Sequence, residues 1–195
     1  MRGVFIAFEG GEASGKSTQA ARLATRLDAV LTREPGGTPL GERIRELLLG
    51  GEAMAARTEA LLMAAARAQH VAEVIEPALA VGRHVVTDRF TASSLAYQGA
   101  ARGLGVDDVA ALSAFATGGL QPDLYVLLDV PLEVAAARRP PTVDRFEGED
   151  ASFHARVLEG FRALVDDRWL VVDGTLPADE IEAIVTSRVA GIIGG

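Results

Sequence analysis

Residues 10–17 have the residue types and spacing of a phosphate-binding loop. They read GGEASGKS, which fits the pattern G-x-x-x-x-G-K-[ST], and they stand between a short apolar run and a stretch of helical apolar spacing. Glycines allow the backbone to curl so that its N–H groups point at phosphate oxygens, and the start of the following helix adds positive potential. We therefore predict that Lys16 binds the β- and γ-phosphates of a nucleoside triphosphate and that Ser17 binds Mg²⁺.

Lys16 is the only lysine in a sequence with 19 lysine and arginine residues. A lysine ammonium is a compact charge on a flexible stem, whereas a guanidinium group is larger, planar and rigid. A chance glycine-rich turn would not require a lysine in a chain that otherwise uses arginine. The predicted ATP-binding residues are Gly10, Gly11, Glu12, Ala13, Ser14, Gly15, Lys16, Ser17 and Thr18.

Three further groups of arginines accompany the loop. They lie in or beside polar segments, and they are more numerous than solvation alone requires. Two groups would suit the phosphate of a second substrate, and an arginine in a mobile segment could close over a phosphoryl group during its transfer. The groups are Arg43 and Arg45 in segment 32–49, Arg89 next to Asp88, and Arg138, Arg139 and Arg145 in segment 137–150.

Five short apolar runs alternate with longer stretches of helical spacing. This alternation predicts a parallel sheet whose strands are buried on both faces by helices. Ligands of such sheets bind beyond the carboxyl ends of the strands, so we expect residues 9–16, 33–38, 88–89 and 129 at one edge. The predicted strands are 4–8, 29–32, 84–87, 124–129 and 170–173, and the predicted helices are 17–27, 40–49, 58–81, 106–116, 132–138, 152–167 and 178–192.

The composition limits the class of protein and its partners. A chain of 195 residues, 49% of them hydrophobic, is predicted to form one domain with a buried core. A net charge of −8 argues against nucleic acid or an anionic membrane as a general partner, and the apolar run 4–8 is too short for a membrane span. The sequence has no cysteine, which fits a protein of the reducing cytoplasm.

Four segments, taken in order along the chain, resemble thymidylate kinases, which phosphorylate dTMP with ATP. They are REPGGT at 33–38, DRF at 88–90, SSLAYQG at 93–99 and DRFE at 144–147, and the resemblance covers nearly the whole chain. It implies an α/β phosphate-loop NTPase fold in a single domain, 1–195, with a five-stranded parallel sheet flanked by helices and a short lid at about 137–150. It also implies Mg²⁺ with ATP as the phosphoryl donor, and a homodimer formed through helix packing.

The resemblance also implies roles for individual residues on the acceptor side. Glu12 would contact the sugar 3′-hydroxyl, Arg89 would hold the acceptor phosphate, and Asp88 would lie near that phosphate and the Mg²⁺ held by Ser17. Tyr97 would pack where a ribose 2′-hydroxyl would project. The implied substrate-binding residues are Glu12, Arg33, Pro35, Arg45, Met63, Arg67, Arg89, Ser94, Tyr97 and Gln98, of which Ser94 and Gln98 would face the base and Arg67 would bind phosphate.

The residues alone leave other roles open for several of these positions. Glu12 could be an exposed loop carboxylate, and Asp88 and Arg89 could form an ion pair at a strand end. Arg67 could be a solvated helix arginine, and Tyr97 could be a core residue.

Two features depart from the family pattern. Met63 stands where members usually have a phenylalanine that stacks on thymine, and a thioether orients a base less strictly than an aromatic ring does. Pro140 and Pro141 stand in the lid where a basic residue and a glycine are common, and they restrict its flexing. Because the phosphate loop has no arginine, the resemblance implies a catalytic arginine from the lid. We expect Arg145 first and Arg138 second, and the implied catalytic residues are Lys16, Asp88, Arg138 and Arg145.

Two alternative functions remain from the sequence. The protein could be another nucleoside monophosphate kinase, acting on dUMP or a related acceptor, because only the base pocket separates these enzymes. It could also be a nucleotide-binding regulator without transferase activity, although the arginine-rich acceptor side and lid favour an enzyme. The three histidines show no metal-ligand spacing, and we interpret them as structural or surface residues; they are His70, His84 and His154.

Overall fold

One five-stranded parallel sheet, with the strand order β2-β3-β1-β4-β5, organises the molecule. The computed structural model describes residues 2–50, 53–138 and 144–194. Each predicted strand is present with bounds within one residue of the expected ones, which confirms the α/β fold. The strands are β1 Phe5–Glu9, β2 Val30–Arg33, β3 Val85–Asp88, β4 Leu124–Asp129 and β5 Trp169–Asp173.

Helices follow each of the first four strands and close the chain. In the described ranges they are α1 Lys16–Leu27, α2 Pro39–Leu49, α3 Ala56–His70, α4 Glu76–Ala80, α5 Thr91–Ser94, α6 Val106–Thr117, α7 Leu132–Arg138, α8 Ala151–Ala163 and α9 Ala178–Ile193. A π-helical segment, Val71–Ile75, joins α3 to α4, so residues 56–80 form one helical stretch close to the predicted helix 58–81.

The sheet is buried by helices on both faces at its centre and is more open at its edges. Side chains of a strand alternate between faces, and β1 places Phe5 and Ala7 in one hydrophobic core and Ile6 and Phe8 in the other. Helices α1 and α9 cover the second core, and α4, α5 and α8 cover the first. The expectation that every strand is buried on both faces was wrong for β2 and β5, because both lie at the sheet edges and leave Leu31 and Val171 about half exposed.

Helix α5 continues into a second π-helical segment, Leu95–Ala101, and the sequence did not predict this helical stretch. The sequence TASS of α5 does not indicate a helix, because serine and threonine side chains compete for backbone hydrogen bonds and lower helix propensity. Tertiary packing stabilises it instead: Gly160 of α8 lies so close that a Cβ there would sit 3.1 Å from Ala96 and from Ala100.

The carboxyl ends of β1, β2 and β3 lie side by side, as expected for neighbouring parallel strands. Asp88 pairs in register with Phe8 on one side and with Arg33 on the other, so the loops that follow these strands share one edge. Asp129, at the end of β4, lies at the same edge of the parallel sheet, as expected, and its carboxylate is bound by Arg162 of α8 at 3.0 Å. No helix among the residues described has the length and apolar character needed to cross a membrane.

Candidate active site

The phosphate loop leaves β1 at Gly10 and enters α1 at Lys16. Its backbone turns through the left-handed region at three positions, Gly10, Ala13 and Gly15, with φ values of 142°, 54° and 92°. Gly10 also needs its lack of a side chain for space, because a Cβ there would lie 2.7 Å from the carbonyl oxygen of Leu128. The alanine is strained in this conformation. The loop geometry therefore follows from glycine placement and from contact with the neighbouring strand.

Lys16 lies under this loop rather than in solvent. Its Nζ donates to the carbonyl oxygen of Gly11 at 2.6 Å and to Ser14 Oγ at 3.2 Å, and the residue is 6% exposed. Burial, together with the charge of Arg89, lowers the pKa of the Lys16 ammonium to about 8. The ammonium therefore carries its charge at neutral pH and loses it a little above that.

Ser17 and Asp88, the two predicted metal-binding residues, are in contact. The Ser17 hydroxyl donates to a carboxylate oxygen of Asp88, and the pairing of β1 with β3 brings Asp88 to the loop. A hydroxyl and a carboxylate are hard oxygen ligands that suit Mg²⁺, which is bound in kinases by one or two carboxylates plus substrate phosphates. The described residues contain no cluster of three or more acidic, histidine or cysteine side chains that could hold a metal by themselves. The donor set therefore fits Mg²⁺ shared with phosphates.

Arg89 lies at the centre of the site. Its backbone is left-handed, with φ of 73°, a conformation that costs roughly 1–3 kcal/mol for a residue other than glycine. The guanidinium group donates to Glu12 Oε1 at 2.7 Å, to the Gly10 carbonyl oxygen at 3.0 Å and to Ser93 Oγ at 3.0 Å. It also lies 5.1 Å from the centre of the Tyr97 ring. This geometry aims one cation at the junction of the phosphate loop and α5.

Glu12 is held by both Arg89 and Tyr97. The Tyr97 hydroxyl donates to Glu12 Oε1 at 2.5 Å. Burial by itself would raise the pKa of Glu12, but the charges of Arg89 and Lys16 lower it to about 2. Glu12 is therefore an ionised, oriented carboxylate rather than a solvated loop residue.

Glu9 supports this cluster from below. It is fully buried, accepts a hydrogen bond from the backbone N–H of Phe90 at 2.9 Å and one from Ser93 Oγ at 2.6 Å, and burial raises its pKa. It thereby fixes the start of α5 directly beneath Arg89. The sequence placed Glu9 at the sheet edge without assigning it this function.

Two spaces open around these residues. The loop cleft, of about 1780 Å³, surrounds the phosphate loop. The smaller pocket lies beside it and has about 550 Å³ of empty space, part of which is open to solvent. The two are adjacent, because they share five wall residues; these are Glu12, Glu34, Arg45, Arg89 and Asp144.

Most of the predicted substrate-binding residues line the smaller pocket. Arg33 is the exception, because it lines the loop cleft and donates to Glu42 at 2.9 Å. Arg45 is oriented by a hydrogen bond to the Pro35 carbonyl oxygen at 2.9 Å. The predicted residues in this pocket are Glu12, Pro35, Arg45, Met63, Arg67, Arg89, Ser94, Tyr97 and Gln98, and the structure adds Glu34, Leu49, Phe90, Ser93, Asp144 and Phe146.

Arg67 is buried in a network that the sequence did not reveal. Its Nε donates to Glu34 Oε2 at 2.7 Å and its Nη2 donates to Ser94 Oγ at 3.0 Å, and the side chain is 3% exposed. His70 Nδ1 lies 2.9 Å from the other oxygen of Glu34, and its Nε2 lies 2.6 Å from Thr32 Oγ1. Arg67 is therefore not a solvated helix arginine. Arg67 and His70 are three residues apart on α3 and therefore lie on the same helix face, and this spacing could have indicated that they share a partner.

Aromatic and thioether side chains form the apolar wall of the smaller pocket. Tyr97 meets the rings of Phe146 and Phe153 edge-on, with centroids 5.8 Å and 6.1 Å away, so it is both a core residue and a pocket residue. Met63 also lies in this wall. Phe146, from the lid segment, is the aromatic residue that the sequence analysis did not assign to the site.

The structure separates the two candidate lid arginines. Arg138 lines the loop cleft and donates to the Gly174 carbonyl oxygen at 2.9 Å. Arg145, the arginine expected first, lines neither space, because its Nη1 pairs with the buried Glu59 at 2.8 Å and its Nε donates to the Leu48 carbonyl oxygen. In this structure Arg138 therefore borders the phosphate loop, and Arg145 does not. Five residues of the expected lid, 139–143, lie outside the described residues, among them Arg139, Pro140 and Pro141.

Comparisons with known proteins agree with this geometry. A family model described as thymidylate kinase matches residues 8–185. A thymidylate kinase of Thermomicrobium roseum is 52% identical, over 93% of this chain and 94% of the relative. Thymidylate kinases of Cupriavidus metallidurans and Pseudomonas putida are 50% and 46% identical; the matches cover 97% and 99% of this chain, and 99% and 98% of the relatives. The chain belongs to the thymidylate kinase family.

Proposed function

We propose that the protein transfers the γ-phosphoryl group of ATP to dTMP, forming dTDP and ADP for dTTP synthesis in the cytoplasm. The observation that carries this proposal is that the loop cleft and the smaller pocket are neighbours, with Glu12 and Arg89 in the walls of both. A triphosphate in the cleft and a monophosphate in the pocket would have their phosphates on either side of this shared wall. The name shared by the relatives supports dTMP as the acceptor.

The donor triphosphate would bind in the phosphate loop. Loop N–H groups and the amino-terminal end of α1 favour anions, and Lys16 can exchange its contact with the Gly11 carbonyl for a phosphate oxygen. Ser17 and Asp88 would hold Mg²⁺ together with phosphate oxygens. When bound, Mg²⁺ supplies neutralisation of the negative charge on the phosphates.

The acceptor phosphate would be held by Arg89. Transfer forms a bond between an acceptor phosphate oxygen and the γ-phosphorus and breaks the bond between that phosphorus and the β–γ bridging oxygen. The acceptor phosphate is already an anion near neutral pH, so no strong general base is needed. Lys16 and Arg138 would stabilise the charge that moves to the leaving ADP, so catalysis consists of positioning and electrostatics.

The sugar and base would occupy the smaller pocket. Glu12 is an oriented acceptor suited to a 3′-hydroxyl, and the Tyr97 ring would fill the space of a 2′-hydroxyl. Met63 and Phe146 are far apart in the sequence, and both line the pocket, where they offer apolar contacts to a flat base. This combination favours a deoxyribose pyrimidine.

A coupled assay of ADP production tests the proposal. The acceptors are dTMP, dUMP, dCMP, UMP and dAMP, and we expect the largest kcat/KM with dTMP. A larger value with dUMP would indicate the alternative kinase, and nucleotide binding without transfer to any acceptor would indicate a regulator. Lys16→Ala is the control: we expect it to lower kcat by roughly two to four orders of magnitude while the far-ultraviolet circular dichroism spectrum stays unchanged.

We also propose that the protein is a homodimer, as the family resemblance implies. Large apolar side chains remain exposed on helices that would supply the packing surface: Leu61 on α3 is 59% exposed and Phe115 on α6 is 89% exposed. Exposed apolar side chains on neighbouring helices support burial against a second copy.

A further inference from the structure

Glu59 is a buried carboxylate that touches the wall of the smaller pocket without lining it. It lies on α3, is 0% exposed, and accepts a hydrogen bond from Gln98 Nε2 at 2.8 Å. We infer that Glu59 is a positioning residue that fixes the orientation of the Gln98 amide and so makes the pocket select pyrimidines with a hydrogen on N3. The inference rests on the proposed function and goes beyond it by naming the device that would read the base.

Two guanidinium groups contact the Glu59 carboxylate. Arg145 Nη1 lies 2.8 Å and Arg102 Nη2 lies 3.2 Å from its Oε2. Arg102 in turn pairs with Glu149 at 2.6 Å, so the arrangement reaches from α3 to the lid. Guanidinium groups and the Gln98 Nε2 group offer only N–H donors, so the Glu59 carboxylate acts as the acceptor toward each of these partners.

An acceptor at this position decides which end of the Gln98 side chain faces the ligand. The two ends of a carboxamide have nearly the same shape, so sterics alone would allow either orientation. Because Glu59 acts as the acceptor, Nε2 must face Glu59, and Oε1 is left toward the pocket that Gln98 lines. Within the described residues Oε1 makes no hydrogen bond, so it is a free acceptor for a ligand.

A free acceptor discriminates between pyrimidines at one atom. Thymine and uracil carry a hydrogen on N3, whereas cytosine presents a lone pair there, which would face Oε1 without a proton between them. One helical turn earlier, Ser94 holds Arg67, whose guanidinium can only donate and would oppose the amino group of cytosine. A mismatched buried polar pair costs about 1–3 kcal/mol, which corresponds to roughly five- to 150-fold in affinity.

Calorimetric binding of monophosphates to the wild-type protein, without ATP, tests the first half of the inference. We expect dTMP and dUMP to bind at least tenfold tighter than dCMP and N3-methyl-dTMP. Equal binding of dCMP and dTMP would overturn it. The result is separable from the proposed function: tight, selective dTMP binding with no phosphoryl transfer would contradict the kinase alone.

Glu59→Gln tests the second half. A glutamine can donate as well as accept, so the Gln98 amide is free to turn, and we expect the dCMP-to-dTMP ratio of Kd values to fall at least fivefold toward one. The matched control is Arg102→Lys, which keeps a cation beside Glu59 and leaves Gln98 untouched; its ratio should stay within twofold of the wild type. A merely structural Glu59 would weaken both nucleotides equally and leave the ratio unchanged, which would refute the inference.

A measurement on the wild-type protein covers the case in which Glu59→Gln does not fold. The side-chain N–H signals of Gln98, assigned by their loss in Gln98→Met, should include one proton shifted downfield and slow to exchange, because it is bonded to a carboxylate. Rapid exchange of both protons, as in exposed glutamines, would show that Glu59 does not hold the amide.

Discussion

At the scale of single residues, the site concentrates opposite charges where little water reaches them. Glu12, Lys16 and Arg89 lie in one cluster, in which the two cations lower the pKa of Glu12 and the charge of Arg89 also lowers the pKa of Lys16. The lowered pKa of Glu12 keeps its carboxylate charged at any pH at which the protein is used. The lowered pKa of Lys16 has the opposite consequence, because it brings loss of the cation close to neutrality.

ATP binding to the free protein should therefore weaken as the pH rises through about 8. Lys16 is protonated below its pKa and neutral above it, so between pH 7 and pH 9 the Kd for ATP should rise about tenfold. Titration calorimetry at half-unit intervals measures this. Lys16→Arg is the control, since a guanidinium stays charged over this range; a pH-independent wild-type Kd would contradict the lowered pKa.

Residues of the site differ in how far the sequence could identify them. Lys16 and Ser17 belong to a local motif whose spacing carries its chemistry, and the structure places them as that motif requires. Glu34 and Glu59 act through partners 33 and 39 positions away along the chain. Such contacts depend on helix packing and register, which spacing within one segment does not encode.

At the scale of elements, the two arginines of the expected lid segment differ because different neighbouring elements bind their side chains. Arg145 is tied to Glu59 of α3, whereas Arg138 at the end of α7 borders the loop cleft. We expect Arg138→Ala to lower kcat at least tenfold and Arg145→Ala to lower the melting temperature instead, because it removes one cation from a buried carboxylate. Steady-state kinetics and thermal denaturation of both variants measure this; the reverse pattern would restore Arg145 as the catalytic arginine.

The contact between α8 and the segment Leu95–Ala101 links packing to the pocket. Gly160→Val should force the two apart, because even a Cβ would lie 3.1 Å from Ala96. We expect a loss of about 1–3 kcal/mol of unfolding free energy and a higher KM for dTMP, since this segment carries Tyr97 and Gln98. Chemical denaturation and kinetics measure both.

The matched control for this change is Gly191→Val on α9. A Cβ at Gly191 would meet nothing within 4 Å, so the same substitution there tests the side chain without the clash. Equal effects at the two sites would contradict the packing argument.

The sequence predicted elements well where periodicity was strong and poorly where tertiary contact decides. All five strands and the long helices follow from apolar runs and helical spacing. Helix α5 and the segment after it do not, because hydroxyl-rich residues become helical there by packing on α8. The sequence also did not predict that β2 lies at the edge of the sheet, because strand order depends on pairing between distant segments.

At the scale of the whole molecule, the proposed homodimer should depend on the exposed apolar side chains of α3 and α6. Phe115→Asp places a charge where the proposed interface needs an apolar surface, and the side chain is too exposed to support the monomer's core. Light scattering after size-exclusion chromatography should give twice the chain mass for the wild type and the chain mass for the variant. A wild-type monomer at micromolar concentration would refute the dimer.

Lys16 is the only lysine of the chain, and it lies beneath the phosphate loop. It is therefore the one lysine side chain that can be chemically modified, and it stands where a nucleotide would bind. Reagents that acylate lysine amines have one side chain to find, and a pKa near 8 leaves that amine more nucleophilic at neutral pH than a surface lysine. Acylation at residue 16 should therefore report the occupancy of the loop directly, because a bound triphosphate would cover the amine. Mass spectrometry of one modified peptide could then count nucleotide-loaded molecules without any label on the ligand.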